Sequence, residues 1–223
     1  MKIAPSLMNM SLLNLERDIE ILDRYTDFYH VDIIDWHYVK NMCLSPHIIR
    51  ELRKITNKPI EAHLYMDNID VDLINYCLDS GATIITMPSD IIGRSIHRFS
   101  NIIHQSGAKV GIFLNPSQPI SILSQYSDVI DQLIILSVDP GFTGQCFINN
   151  TYKKILNAKA YRDISGDDFT ITVDGGCNQK NYEKLFTAGA DALVLGRGLF
   201  DRDPDLNIAI SETYKEFQNL IHK

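Results

Sequence analysis

Short apolar runs rich in Ile, Val and Leu recur along the chain. They alternate with longer stretches whose apolar residues fall at helical spacing. The runs predict strands over 2–5, 28–34, 59–65, 83–87, 109–114, 132–138, 169–173 and 192–195. The stretches between them predict helices over 12–25, 46–56, 70–80, 92–106, 120–126, 151–162, 180–188 and 204–221. In the first helix Leu12, Leu15, Ile19 and Leu22 form the apolar stripe, and Gly81, Gly107 and Gly189 stand where left-handed caps end later helices. Strand and helix in strict alternation, eight times over, predict an α/β fold of the closed (β/α)8 TIM-barrel type. A doubly wound sheet is the alternative. It calls for a GxGxxG after the first strand, whereas this strand runs into Pro5-Ser6. At 223 residues, with no linker or low-complexity tract, one barrel domain over 1–223 is expected.

The second strand carries the first chemical signal. Side chains two apart in a strand share a face, so His30 and Asp32 project together. His63 closes the third strand, and Asp174 opens a glycine pair at the end of the seventh. In a parallel barrel the strand ends form the active face, which gathers these four with Ser6, Asp35 and Asp139. The alternative for any one of them is a bond to nearby loop backbone. Three glycine-containing loops follow late strands: Gly141-Phe142-Thr143-Gly144, Gly175-Gly176 and Gly196-Arg197-Gly198. Glycine permits tight turns anywhere, but its clustering after strands six to eight points to a phosphate held by backbone N–H groups.

Composition narrows the field. Apolar residues make up 45% and charged residues 22%, ordinary for a globular chain with a full core. The formal net charge of −7 and the lack of a basic stripe exclude nucleic acid as the expected partner. No apolar run is long enough to span a membrane. The four cysteines, Cys43, Cys77, Cys146 and Cys177, form no CxxC pair, and the N-terminus enters a strand almost at once, so a reduced, cytoplasmic protein is expected.

The motifs, taken in order, resemble the ribulose-phosphate 3-epimerase family over nearly the whole chain. The residues that carry the resemblance are Ala4-Pro5-Ser6-Leu7, His30-Val31-Asp32-Ile33-Ile34-Asp35, His63-Leu64, Lys109-Val110-Gly111, Val138 through Gln145 and Val173-Asp174-Gly175-Gly176. Pro5-Ser6-Leu7-Met8, Leu44-Ser45-Pro46, Gly175 through Gln179 and Gly198-Leu199-Phe200 make it most similar, within that family, to the D-allulose-6-phosphate 3-epimerases. The resemblance implies a barrel of the ribulose-phosphate-binding type acting on a small ketose phosphate, and a homo-oligomer. It implies one divalent metal (zinc, iron(II), manganese or cobalt) on His30, Asp32, His63 and Asp174, with no organic cofactor. Asp32 and Asp174 would double as the acid/base pair. Ser6, His63, Gly141, Phe142, Thr143, Gly144, Asp174, Gly175, Gly176, Gly196 and Arg197 would bind the substrate.

The residue types suit that chemistry independently. Inverting a carbon next to a carbonyl needs one carboxylate on each face, and the charge that develops on oxygen suits a Lewis acid. A His2Asp2 donor set suits the metals named. Two rival functions remain. A decarboxylase on the same barrel would need Asp-x-Lys-x-x-Asp, but Asp32-Ile33-Ile34-Asp35 has no lysine. A non-catalytic sugar-phosphate binder would have no use for an acid/base pair.

Some residues depart from the family pattern. Trp36 stands beside the site where the family has glycine, and Lys40 where it has proline. Ile34, Tyr65 and Leu136 replace methionines, and the end of strand four reads Thr86-Met87-Pro88-Ser89-Asp90. Trp36 is expected to carry backbone strain if the position has positive φ. Tyr65, two residues past His63, is expected to narrow the pocket. These departures predict a shifted or narrower range of ketose phosphates. His37, His47, His97, His104 and His222 read as surface histidines, and Cys177 as a small loop residue.

Overall fold

The computed structural model describes residues 1–221, so His222 lies outside the described residues. Eight strands form one sheet: β1 (Lys2–Pro5), β2 (Tyr29–Ile34), β3 (Ile60–Tyr65), β4 (Ile84–Pro88), β5 (Lys109–Leu114), β6 (Gln132–Leu136), β7 (Thr170–Asp174) and β8 (Ala192–Leu195). Every ladder is parallel, in the order β1-β8-β7-β6-β5-β4-β3-β2. A parallel bridge from Ser6 to His30 brings the end of β1 against β2 and closes the barrel at its functional rim.

The strands are buried on both faces, which is why they read as continuous apolar runs. Their outward residues pack under the helices in one large core that includes Ile33, Leu64, Val110 and Leu193. Inside the barrel, Ala4, Phe28, Ile84, Ala192 and Val194 form one apolar layer. Ile34, Tyr65, Phe113, Ile134 and Leu136 form another cluster at the strand ends.

The helices are α1 (Leu15–Leu22), α2 (Pro46–Leu52), α3 (Val71–Asp79), α4 (Ile96–Gln105), α5 (Thr151–Ser165), α6 (Tyr182–Ala188), α7 (Arg197–Phe200) and α8 (Leu206–Ile221). Each expected helix has a counterpart, with instructive differences. The stretch 12–25 opens as a 3-10 turn before α1, and 92–106 breaks at Ser95 into a 3-10 turn and α4. The stretch 120–126 is wholly 3-10. α2 stops at Leu52 because the next residue, Arg53, turns its guanidinium onto loop carbonyls, donating to Gly81 at 2.8 Å and Lys58 at 2.6 Å. The short α7, directly after β8, had no strong periodic signal. Among the described residues no helix is long and apolar enough to cross a membrane.

A candidate metal and acid/base centre

β2, β3 and β7 bring His30, Asp32, His63 and Asp174 together, with one ligand-type atom from each lying within 4.8 Å of all the others. His30 and His63 are fully buried, Asp32 is 5% exposed, and the Asp174 side chain is 16% exposed at the mouth. The two imidazoles face each other, His63 Nδ1 lying 2.9 Å from His30 Nε2. Asp32 Oδ1 is 3.1 Å from the same His30 nitrogen, and Asp174 Oδ2 is 3.8 Å from both His30 Nε2 and His63 Nδ1. Ser6 Oγ, delivered by the β1–β2 closure, donates to Asp32 Oδ2 at 2.8 Å. Ser137 grips the other carboxylate's backbone: its N–H and hydroxyl both donate to the Asp174 carbonyl, at 2.8 and 2.9 Å, and the hydroxyl also contacts the Gly175 carbonyl.

Sequence reasoning missed the group that orients this cluster. Glu61, fully buried on β3, meets His30 Nδ1 at 2.6 Å. It also accepts from Thr86 Oγ1 and Gln132 Nε2, each at 2.5 Å. Its charge is thus satisfied by donors from three other strands, as a buried carboxylate requires. The available signal was parity: Glu61, His63 and Tyr65 share one face of a strand. Gly111 makes the network possible. It lies between Thr86 and Gln132 in the ladder, and a Cβ there would come within 2.1 Å of Thr86 Oγ1.

The electrostatics follow from this crowding. Burial would lower the His30 pKa, but the Asp32 and Glu61 carboxylates outweigh it and hold His30 well above its usual value. Burial, reinforced by the charge on His30, holds His63 well below its own. Burial would also raise Asp32, yet His30, His63 and the Ser6 hydroxyl bring it below the normal carboxylate range. Asp174 is pushed up to about 7, by burial first and by Asp32 and Glu61 against the opposing pull of His30.

The donor set fits a divalent cation. With its Nδ1 proton donated to Glu61, His30 turns a nitrogen lone pair toward the cluster once Nε2 is deprotonated. His63 is disposed to be neutral, its Nδ1 faces the same point, and its buried Nε2 has no partner among the described residues. Two imidazole nitrogens and two carboxylates converging in a buried pocket are a donor set that could hold a metal ion.

Above the cluster opens a cavity of about 510 Å³. Ser6, Asp32 and Asp174 line it, as do all the expected loop residues: Gly141, Phe142, Thr143, Gly144, Gly175, Gly176, Gly196 and Arg197. His63 does not line it; the fully buried ring lies beneath the floor. Gly144 has φ +80, and a Cβ on it would come within 2.6 Å of Arg197 Nη1, so the guanidinium lies across that loop. Arg197 is meanwhile paired with Asp201 at 2.7 Å.

Trp36 has φ +75, the only non-glycine residue with positive φ among the described residues. The expected strain is therefore present. Trp36 is 51% exposed and does not line the cavity, so its ring is turned away from the site it was expected to adjoin. Its loop is tied across the mouth instead, Asn41 Nδ2 donating to the Gly141 carbonyl at 2.6 Å. His37, His47, His97 and His104 are exposed, as expected. Cys177 is buried, its thiol turned toward backbone carbonyls of β7 and its loop.

A parallel barrel with a His2Asp2 centre below a glycine-lined cavity defines a class, a barrel enzyme with paired carboxylates ready to hold a metal. Comparison with known proteins makes the assignment narrower. The chain matches the Ribulose-phosphate 3 epimerase family over residues 2–200, and it belongs to that family. It is 33% identical to the ribulose-phosphate 3-epimerase of Escherichia coli strain K12, covering 99% of this chain and 98% of that protein. It is 32% identical to the enzyme of the same name from Bacillus subtilis strain 168, over 95% and 97% of the two chains. The protein is accordingly an isomerase of the epimerase type. Among solved structures, 3-hexulose-6-phosphate synthase from Salmonella typhimurium aligns with a TM-score of 0.75 at 14% identity, over 96% of this chain and 97% of that one. KGPDC from Streptococcus mutans aligns with a TM-score of 0.72, also at 14% identity and the same coverage. These two share the fold.

Proposed function

We propose that the protein inverts C3 of a ketose phosphate. The substrate pairs are D-allulose 6-phosphate with D-fructose 6-phosphate, or D-ribulose 5-phosphate with D-xylulose 5-phosphate. One observation carries the reading: Asp32 and Asp174, from opposite sides of the barrel, converge on one cavity whose far wall is built from glycine loops. The wall supports a phosphate subsite at Gly144, Gly175, Gly176, Gly196 and Arg197, where bare backbone and one guanidinium face the same space. Held there by its phosphate, the sugar would lay C3 between the carboxylates.

In one direction Asp32 takes the C3 proton and Asp174 returns one to the opposite face; in the other they exchange roles. Ser6 keeps one Asp32 oxygen engaged, and Ser137 fixes the Asp174 backbone, so neither carboxylate has to be reoriented for the step. His30, Asp32, His63 and Asp174 would hold a divalent cation, which when bound supplies Lewis-acid stabilisation of the enediolate charge.

The test is turnover of each sugar, offered separately to metal-loaded protein, Asp32→Asn and Asp174→Asn. The reading expects one pair to be interconverted and a loss of at least about 10³-fold in either variant. Absence of turnover with both sugars despite bound metal would overturn it.

A further inference from the structure

Tyr65 joins the histidine side of the centre to Asp174. It ends β3, and its ring packs 4.4 Å from the His63 ring and 5.0 Å from that of Phe113. Its hydroxyl crosses the mouth to β7 and donates to Asp174 Oδ2 at 3.3 Å. That oxygen is the one facing His30 and His63. No hydrogen bond among the described residues engages Asp174 Oδ1, although Asp174 lines the cavity. The tyrosine hydroxyl therefore reinforces the difference between the two carboxylate oxygens.

A brace holds the tyrosine there. Tyr38, on the loop after β2, packs its ring 6.2 Å from Tyr65 and edge-on to Phe113. Its hydroxyl donates to the Asp90 carboxylate, 3.1 Å from the nearer oxygen, and accepts from Asn115 Nδ2 at 2.6 Å. Lys154 Nζ in turn donates to the Asn115 carbonyl at 2.6 Å. The chain from α5 through Asn115 and Tyr38 leaves Tyr65 little room to swing out, and no residue of β4 or β5 lines the cavity beyond it.

We propose that Tyr65 is a positioning residue for Asp174. Its hydroxyl keeps Oδ2 at the ligand cluster and leaves Oδ1 free to face the cavity as the proton-carrying oxygen, and the Tyr38–Asp90–Asn115 brace fixes Tyr65 in that pose. The inference rests on the epimerase reading for the role of Oδ1, but the placement of Oδ2 can be tested without turnover.

The experiment compares the parent protein with Tyr65→Phe and Tyr38→Phe. Three quantities are read: zinc affinity of the apoprotein by chelator competition, thermal midpoint of the apoprotein, and kcat and KM for the sugar turned over. Loss of a hydrogen bond to a metal-binding carboxylate predicts zinc affinity about tenfold weaker in Tyr65→Phe. It also predicts kcat down by about tenfold with KM within about threefold, and an apoprotein midpoint close to the parent's. Tyr38→Phe, remote from the ligands, should shift affinity and kcat the same way by about threefold. Zinc affinity and kcat both within twofold of the parent in Tyr65→Phe would overturn the proposal. If Tyr65→Phe fails to fold, an unchanged Tyr38→Phe overturns it and the graded loss supports it. Weaker zinc binding in variants of a parent that turns over neither sugar would support the placement of Oδ2 while refuting the epimerase reading.

Discussion

Replacing Glu61 by Gln tests the logic of the centre without touching any of its four clustered donors. The carboxylate accepts from His30, Thr86 and Gln132 in a fully buried site. An amide of the same shape has one accepting oxygen and one donating NH2. If the oxygen stays on His30 Nδ1, the NH2 confronts the Gln132 amide. If the NH2 turns to His30, it demands an accepting Nδ1 and moves the ring proton to Nε2, where it points into the ligand cluster. Losing a hydrogen bond to a charged group costs about 1.5–3 kcal/mol, and losing the partner of a metal-binding histidine weakens the metal about 10–100-fold; the two ranges agree. One effect opposes this. Without Glu61, His30 gives up its second proton more readily, which eases metal entry near neutrality. The deficit should therefore grow from pH 7 to pH 9. The assay is zinc or cobalt titration of the apoprotein against a chromophoric chelator. Glu61→Gln binding within twofold of the parent across that range would refute the reasoning.

Other outcomes follow from the same contacts. Trp36→Gly removes a left-handed strain of about 1 kcal/mol and a half-exposed ring, so the thermal midpoint should stay level or rise by about 2–4 °C; a fall of that size would show that ring packing dominates. Gly111→Ala drives a methyl into Thr86 and should destabilise the chain by about 1–3 kcal/mol in urea unfolding, with weaker metal binding as Thr86 leaves Glu61; an unchanged midpoint would contradict the packing described. Burial pushes the Lys154 ammonium from 10.5 to about 8, so between those values this group holds more protons in the unfolded chain and its contribution to stability rises with pH. From about pH 9 buried Cys77 and Cys177, and above pH 10 buried Tyr29 and Tyr182, work the other way, keeping protons that the unfolded chain loses. The difference in unfolding free energy between the parent and Lys154→Met should therefore rise with pH from 8 to 10.5; a flat difference would refute the assignment.

Much of this architecture was legible because it is written in local pattern. Strands buried on both faces give continuous apolar runs, and glycines at 81, 107 and 189 end turns and helices in left-handed conformation. The cluster of His30, Asp32, His63 and Asp174 was legible because metal-grade side chains at the ends of apolar strands are costly unless used. Glu61 was harder to read. Its partners come from β2, β4 and β6, and only the closed barrel shows that its charge is satisfied. The conformation of Trp36 was equally tertiary: the sequence raised strain only on the condition of a positive φ, and the outward turn of its ring depends on how the loop crosses to Gly141. The brace from Lys154 to Tyr38 joins segments far apart in sequence and leaves no periodic trace.

The most direct test of the two-carboxylate account is the fate of the C3 hydrogen in the first turnovers. The metal-loaded protein converts its preferred ketose phosphate in heavy water, and NMR reads C3 of product and residual substrate in each direction. Two opposed carboxylates, one removing and one delivering, predict a first-formed product carrying solvent deuterium at C3 in both directions. A product that keeps the substrate's own hydrogen at C3 would contradict that claim, because one group would then be removing and returning the same proton.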